Sequence, residues 1–267
     1  MVSEQISRGA EYFFISFVSG VLTKITATAT IRNCIAAAKV AEGNTISLGL
    51  LAQIALVLAL SHWTICFLAL GASLVAGIKP WTGKSKTTGA IPVYAQFFWY
   101  PNATLIFVKL LLRRFVYKNR IPVISEIAPS FYLGGLPGFP GANINILENV
   151  TAAVDVTCEF PPLHKFERYT AVPAWDCTAP SAEEIKRATD WIWDEYCDSQ
   201  RSILIHCCSG VGRSTTVMCA ALVKCSICKT ITEAYELVRK KRPFAKLKNY
   251  HLEQLNKWVA IEKKLSV

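Results

Sequence analysis

Two side chains six positions apart define the chemistry open to this chain. Cys207 and Arg213 lie in His206-Cys207-Cys208-Ser209-Gly210-Val211-Gly212-Arg213-Ser214, directly after the apolar run Ile203-Leu204-Ile205. An apolar run, a short glycine-bearing loop and a helical pattern in that order predict a strand, a turn and a helix N-terminus. The five residues between Cys207 and Arg213 then point successive backbone N–H groups into one concavity, and such a nest binds a phosphate dianion. The same positive potential favours a thiolate and lowers a cysteine pKa from about 8.5 into the range of about 3.5–7.5. Cys207 is therefore the expected nucleophile, and Arg213 can lay its planar fork on two oxygens of a transferring phosphoryl group. Ser214 can donate a hydrogen bond to the sulfur, and Cys208, Ser209, Gly210, Val211, Gly212 and Arg213 form the expected phosphate cradle. His206 is placed to tune Cys207 through hydrogen bonds without transferring a proton itself.

A nucleotide-binding loop fits these residues less well. Gly210-Val211-Gly212-Arg213-Ser214-Thr215 lacks the Lys before the hydroxyl residue and the wider glycine spacing of that motif. The pattern His-Cys-x-x-Gly-x-x-Arg-Ser resembles the signature of the cysteine-dependent protein tyrosine phosphatase superfamily, and the chain is similar to its dual-specificity type. Attack by sulfur expels an alkoxide or phenoxide that must be protonated as it leaves. Asp176 is the candidate acid, 31 residues before Cys207 in Val172-Pro173-Ala174-Trp175-Asp176-Cys177-Thr178-Ala179-Pro180, a strand end entering a Pro-bounded loop. In dual-specificity phosphatases the general acid occupies a loop at about this distance upstream. The resemblance thus implies that Asp176 protonates the leaving group and then, as a carboxylate, activates water to hydrolyse a phosphocysteine. Asp155 is the other nearby acid, but it sits inside the apolar run Ala152-Ala153-Val154-Asp155-Val156 and is not the expected one.

The elements that must position these groups are readable around them. Val150–Val156 and Tyr169–Val172 read as strands. Ser181-Ala182-Glu183-Glu184 is a capping box opening an amphipathic helix with Ile185, Ala188, Trp191, Ile192 and Tyr196 on one face. After the loop, a helix carries Val217, Ala220, Ala221 and Val223. Thr230-Ile231-Thr232-Glu233 opens another that ends at Arg242-Pro243, and Asn249–Lys264 has apolar residues at helical spacing. Ser130-Phe131-Tyr132-Leu133-Gly134-Gly135-Leu136-Pro137 resembles the family's early strand and turn, and Arg242-Pro243-Phe244 with a later Leu-x-x-Trp is what the superfamily tends to show in its last helices. The expected fold is α/β, a protein-tyrosine-phosphatase-like catalytic domain with a central sheet flanked by helices over residues 121–267, preceded by a helical membrane-embedded region over residues 1–120.

That first region is a different material. No Asp, Glu, Lys or Arg occurs in the 33 positions from Ile46 to Ile78. A bilayer core needs about 20 apolar residues, so the run is long for one upright helix and short for two. It fits either a hairpin with Ser61-His62-Trp63 at its tip or one tilted helix that continues past the interface. A second uncharged stretch, Thr87–Val108, is expected to be broken by Pro92 and Pro101. Its Phe97-Phe98-Trp99-Tyr100 cluster suggests the interface, with Thr104–Leu112 re-entering or spanning. Tyr12–Leu22 reads as an interfacial helix.

Residues 1–120 hold 12 Lys and Arg against 3 acids, whereas residues 121–267 hold 17 against 16. The basic excess flanks apolar segments, which argues against nucleic acid as a partner. Lys24, Arg32 and Lys39, then Lys79, Lys84 and Lys86, then Lys109, Arg113, Arg114, Lys118 and Arg120 fit contact with anionic lipid head groups. All three clusters favour the cytoplasmic side, so the catalytic domain is expected to face the cytosol or another reducing compartment. Ten cysteines without pairing spacings agree with that compartment. By resemblance to some lipid phosphatases of the superfamily, Cys158 is a candidate for a protective disulfide with Cys207, and buried structural thiols are the alternative. No metal site or other cofactor is indicated.

The variable loop positions Cys208, Ser209, Val211 and Gly212 carry no charge, which suits a single phosphate. The resemblance makes phosphotyrosine, phosphoserine and phosphothreonine on proteins the default substrates. A phospholipid monoester, such as a phosphatidylglycerophosphate or a monophosphorylated phosphoinositide, is the rival that a membrane anchor raises. A catalytically silent phosphate-binding membrane module is the third reading, although binding alone needs no nucleophile.

Overall fold

The computed structural model describes residues 16, 18–19, 21–30, 32, 48–75, 82–116, 122–138 and 144–265. These divide into two compact units, residues 1–81 with 97–104 and residues 82–96 with 105–267.

The second unit is built on one five-stranded sheet of Ile124–Ala128 (β1), Phe131–Gly134 (β2), Ala152–Asp155 (β3), Arg168–Ala171 (β4) and Ile203–His206 (β5), in the order β1-β2-β5-β3-β4. β1 and β2 form an antiparallel pair turning at Ser130, which takes a φ of 66°. The other pairings are parallel. Parallel strands lie under helices on both faces, and the central β5 is accordingly buried at all four residues. That burial is why Ile203-Leu204-Ile205 reads as an unbroken apolar run. Across the ladder, His206 sits opposite Gly134 of β2 and Asp155 of β3. Three strands therefore end at one level, and the carboxyl end of a parallel sheet is where such folds place ligands.

Among the described residues, the α-helices from residue 48 onward are Leu48–Val75 (α1), Val93–Val116 (α2), Ile144–Leu147 (α3), Ala182–Trp193 (α4), Arg213–Lys224 (α5), Ile231–Lys241 (α6) and Asn249–Leu265 (α7). Both expected N-caps form: Ser181 Oγ accepts the Glu184 N–H at 3.4 Å and Thr230 Oγ1 accepts the Glu233 N–H at 3.1 Å. Each satisfies an otherwise orphaned donor of the first turn. Ile185, Ala188 and Ile192 of α4 pack into the core with Phe131, Leu133, Ile205, Val217, Leu255 and Trp258. α4 gives way to one π-helical turn, Asp194–Asp198, and Tyr196 there packs on Phe131 with ring centroids 4.7 Å apart. The α/β fold with a central sheet and flanking helices is the one the sequence implies.

Residues 82–96 belong to this sheet unit, upstream of the expected boundary at 121. The reason is a set of long-range contacts that no local pattern announces. The Ala171 N–H donates to the Lys86 carbonyl at 2.7 Å, and Lys86 Nζ pairs with Glu184 at 2.5 Å. Lys84 Nζ lies 2.7 Å from Asp155 Oδ2, with both side chains fully buried. Lys84 is thus not available to lipid head groups as the charge pattern suggested, whereas Lys86 stays half-exposed in its pair. Arg114 is also engaged, donating to the Leu136 carbonyl at 3.0 Å.

In the first unit, α1 is continuous and the hairpin tip at Ser61-His62-Trp63 is not formed. Ser61 Oγ donates to the Val57 carbonyl at 2.8 Å, one helical turn back. The His62 ring stacks on Phe97 at 4.9 Å and its Nε2 lies 3.1 Å from the Phe98 carbonyl. Ala52–Gly71 is long and apolar enough, by length and composition, to cross a membrane. α2 runs through Pro101 without ending there. A proline deletes one backbone hydrogen bond at a cost of about 3 kcal/mol, and the helical turns on both sides, residues 97–100 before it and 105–108 after it, carry the helix past it. Tyr12–Leu22 lies mostly outside the described residues, although 21–30 are helical. Lys39, Lys79, Lys118 and Arg120 lie outside them too.

Candidate active site

β5 delivers the chain to Cys207, and α5 begins at Arg213 with Gly212 as its N-cap. Between them the loop is moulded against the end of β2. The Cys207 N–H donates to the Gly134 carbonyl at 3.3 Å and the Leu136 N–H to the Cys208 carbonyl at 3.1 Å. Gly210 has a φ of 67°, and a Cβ there would fall 2.5 Å from the Gly134 carbonyl carbon, so only glycine fits.

The outer side of the loop is held by Arg242, whose role the sequence did not disclose. Its buried guanidinium donates through Nε to the Gly210 carbonyl at 2.7 Å and through Nη2 to the Ser209 carbonyl at 3.1 Å. Nη1 reaches the Pro122 carbonyl at 2.8 Å and Ser125 Oγ at 3.0 Å. The Lys246 N–H adds a bond to the Val211 carbonyl at 2.8 Å. A carbonyl drawn outward in this way turns the N–H of the same peptide toward the inner side of the loop, where that of Gly210 meets Cys207 Sγ. Burial lowers the Arg242 pKa to about 10, still far above neutral pH. Arg239-Lys240-Lys241-Arg242 is a run of four cations, and nothing local marks the last as the buried one.

Cys207 Sγ accepts the Ser214 hydroxyl at 3.3 Å and the Gly210 N–H at 3.3 Å. Burial works against a thiolate here, but the Arg213 charge and these hydrogen bonds outweigh it and bring the Cys207 pKa below its ordinary value. The neighbouring Cys208 goes the other way: burial and then the Glu159 carboxylate push its thiol well up. Cys158 is raised by the same two causes. All three thiols are free. Burial lowers the His206 pKa, and its Nδ1 lies 3.9 Å from Asp155 Oδ1.

Arg213 is 3% exposed and is held by Glu159, a second residue the sequence reading passed over. Nη1 contacts Glu159 Oε1 at 2.8 Å, Oε2 at 3.0 Å and the Ala174 carbonyl at 2.6 Å. Glu159 also accepts the Asp176 N–H at 2.7 Å, so one carboxylate orients both Arg213 and the loop that carries Asp176. A buried guanidinium must have a counter-charge, and that requirement was the available signal for an acid near the end of β3.

Asp176 sits on a turn closed by the Thr178 N–H to the Trp175 carbonyl at 3.0 Å, with Cys177 at a φ of 67°. Its half-exposed side chain places Oδ1 3.1 Å from Arg213 Nη2. Asp176, Cys207, Ser209, Val211, Gly212 and Arg213 line one pocket of about 220 Å³, and Arg113, Lys246 and Lys248 line it as well. A sulfur with a lowered pKa, an anion nest, an arginine and a carboxyl thus meet in one opening. Such an arrangement can attack, hold and protonate around a phosphate monoester.

A family model described as the dual specificity phosphatase catalytic domain matches residues 131–261. A probable dual specificity protein phosphatase of Dictyostelium discoideum is 30% identical over 147 residues, 53% of this chain and 35% of that protein. Human dual specificity protein phosphatase 14 is 31% identical over 140 residues, 50% of this chain and 68% of that protein. The chain thus spans about a third of the first relative and about two thirds of the second. Among solved structures, human DUSP28 is 22% identical, with 55% of this chain and 97% of that one covered at a TM-score of 0.45. PTPMT1 in complex with PI(5)P is 17% identical, with 54% and 99% covered at a TM-score of 0.46. The match to human dual specificity protein phosphatase 14 spans most of that protein and agrees with the motif from His206 to Ser214; the chain belongs to the dual-specificity phosphatase family of cysteine-dependent phosphatases.

Proposed function

We propose that the chain is a membrane-anchored phosphatase that hydrolyses phosphate monoesters, foremost phosphotyrosine, phosphoserine and phosphothreonine on proteins, through a phosphocysteine at Cys207. The observation that carries this reading is the double donation from Ser214 and Gly210 to Cys207 Sγ, in a pocket shared with Arg213 and Asp176. The thiolate attacks phosphorus, a sulfur–phosphorus bond forms and the ester oxygen departs. The loop N–H groups and Arg213 hold the oxygens of the transferring group, where charge is best stabilised by fixed donors. A phosphate oxygen that takes up Arg213 Nη2 displaces Asp176 Oδ1 from that donor and frees the carboxyl for the leaving oxygen. Once off the guanidinium, Asp176 takes up a proton from solvent and passes it to the leaving oxygen, and as a carboxylate it then takes one from the water that cleaves the phosphocysteine. Inorganic phosphate leaves and the thiolate is restored.

The anchor is supported by α1, whose segment Ala52–Gly71 has spanning length and composition and whose Leu58 and Ile65 are exposed. Free cysteines and a thiolate nucleophile suit a catalytic unit on the cytosolic side or in another reducing compartment. A phospholipid monoester is the second reading. It is favoured by Arg113, which lines the pocket from α2 while Phe115 and Val116, two and three residues on, stand exposed.

The test is phosphate release by the full chain in phosphatidylcholine vesicles. The substrates are a phosphotyrosine peptide, a phosphothreonine peptide and vesicles containing phosphatidylglycerophosphate, each with Cys207→Ser as control. Cys207-dependent release from the peptides establishes the protein phosphatase, and release from the vesicles alone moves the enzyme to lipids. No release from any of them leaves a phosphate-binding module.

A further inference from the structure

Residues 82–91 precede the family-matched region 131–261, yet one of their side chains is buried behind the candidate active site. Lys84 Nζ donates to Asp155 Oδ2 at 2.7 Å, to Thr157 Oγ1 at 3.0 Å and to the Phe160 carbonyl at 2.7 Å. Asp155 in turn accepts the Thr157 N–H at 2.8 Å and the Thr157 hydroxyl at 2.7 Å. The ammonium thus grips the chain at Thr157 and at Phe160, and the residues between those two grips are Cys158 and Glu159. Glu159 is the side chain that holds Arg213 and the Asp176 N–H.

The segment that carries Lys84 is itself pinned. The Gly89 N–H donates to the Ser85 carbonyl at 2.9 Å and the Ser85 N–H to the Ala90 carbonyl at 2.8 Å, making a closed loop. Gly89, at a φ of 70°, approaches Tyr169 so closely that a Cβ would lie 2.3 Å from its hydroxyl. That hydroxyl donates to Asp155 Oδ2 at 2.8 Å. Two segments remote in sequence, residues 82–91 and β4, therefore converge on Asp155, and none of these groups lines the pocket that holds Cys207.

We propose that Lys84 and Asp155 form a positioning pair for the phosphatase site, fixing Glu159 and through it Arg213 and the Asp176 loop, so that residues 82–91 are a working part of the catalytic unit. The inference rests on the function proposed above. Ground-state phosphate is held largely by loop N–H groups that this pair does not touch, whereas Arg213 and Asp176 act as charge develops. Loss of the pair should therefore fall on kcat rather than KM. A misplacement of about 1 Å in such a group costs on the order of 10²-fold in rate.

The experiment uses the full chain in vesicles, with para-nitrophenyl phosphate for turnover and orthovanadate for binding. Lys84→Met/Asp155→Asn removes both charges together, so no lone charge is left in the core. It is compared in wild-type and Glu159→Gln backgrounds. The expected result is a fall in kcat of roughly 10–100-fold, a change in KM below about 3-fold, and weaker vanadate binding. In the Glu159→Gln background the same double change should add less than about 3-fold, the non-additivity of residues acting through one another. Wild-type kcat and vanadate affinity in the double variant overturn the inference, and so does an equal loss in both backgrounds. If the wild-type chain shows no Cys207-dependent turnover, the enzyme reading fails, and vanadate affinity alone then decides on the positioning pair in the same way.

Discussion

Two buried ion pairs grow from the same short stretch of chain and serve different ends. Lys84–Asp155 is sealed, with neither side chain exposed. Arg213–Glu159 is buried too, but Arg213 lines the open pocket and also reaches Asp176. Burial and hydrogen bonding are similar; access to a ligand separates them. A buried pair rarely repays its own desolvation against a well-packed apolar replacement, so its presence calls for another reason. For Arg213–Glu159 that reason is a cation held still where phosphate must land. For Lys84–Asp155 it is the chain between the two carboxylates, three residues that set where Glu159 stands.

The largest expected effect lies on the open side. Arg213→Lys keeps the charge but loses the planar two-pronged fork, and kcat should fall by on the order of 10³-fold, the scale of arginine contributions to phosphoryl transfer. Thermal unfolding should move far less than turnover. An equal collapse of both would erase the distinction between the two pairs. Asp155→Asn makes the converse case: it strands the buried Lys84 ammonium and should cost about 3–5 kcal/mol of stability, read from denaturant unfolding. A loss near zero would mean that the core there is wetter than its burial implies.

Asp176→Ala comes next. A general acid contributes roughly 10²–10⁴-fold, and the loss should grow as the leaving group becomes more basic, from para-nitrophenyl phosphate to an alkyl phosphate. Equal losses on both would transfer the acid role to another residue.

How far the sequence carried these assignments follows from where each partner lies. Cys207, Gly210, Arg213 and Ser214 form one contiguous turn, and local geometry alone brings their groups together. Asp176 needed a loop distance and a family pattern. Glu159, Arg242 and Lys84 were not legible, since they reach Arg213, Gly210 and Asp155 across 54, 32 and 71 residues. Those meetings exist because β5 inserts between β2 and β3, a sheet order that no single segment encodes. The capping boxes at Ser181 and Thr230 were legible because a cap closes within four residues. Pro101 misled for the opposite reason, a local rule overridden by the long apolar helix around it.

The smallest effect concerns the contrast between Cys207 and Cys208. They are neighbours in one loop, yet Cys207 lies below its ordinary pKa and Cys208 well above. Thiolate formation at Cys207 draws on the Arg213 charge and the Ser214 hydroxyl, whereas Cys208 faces the Glu159 carboxylate, its Sγ 3.8 Å from Oε2. Ser214→Ala deletes a donor that prefers the thiolate, so the Cys207 pKa should rise. The acid limb of iodoacetamide alkylation, and of kcat/KM, should then shift to higher pH by the same amount. Cys208 should stay unreactive near neutral pH in either chain, because the hydroxyl makes no bond to it. Mass spectrometry of the alkylated peptide tells the two sulfurs apart. A Ser214→Ala chain with an unmoved limb would mean that Arg213 and the loop N–H groups alone hold the thiolate, and that the hydroxyl serves a later step.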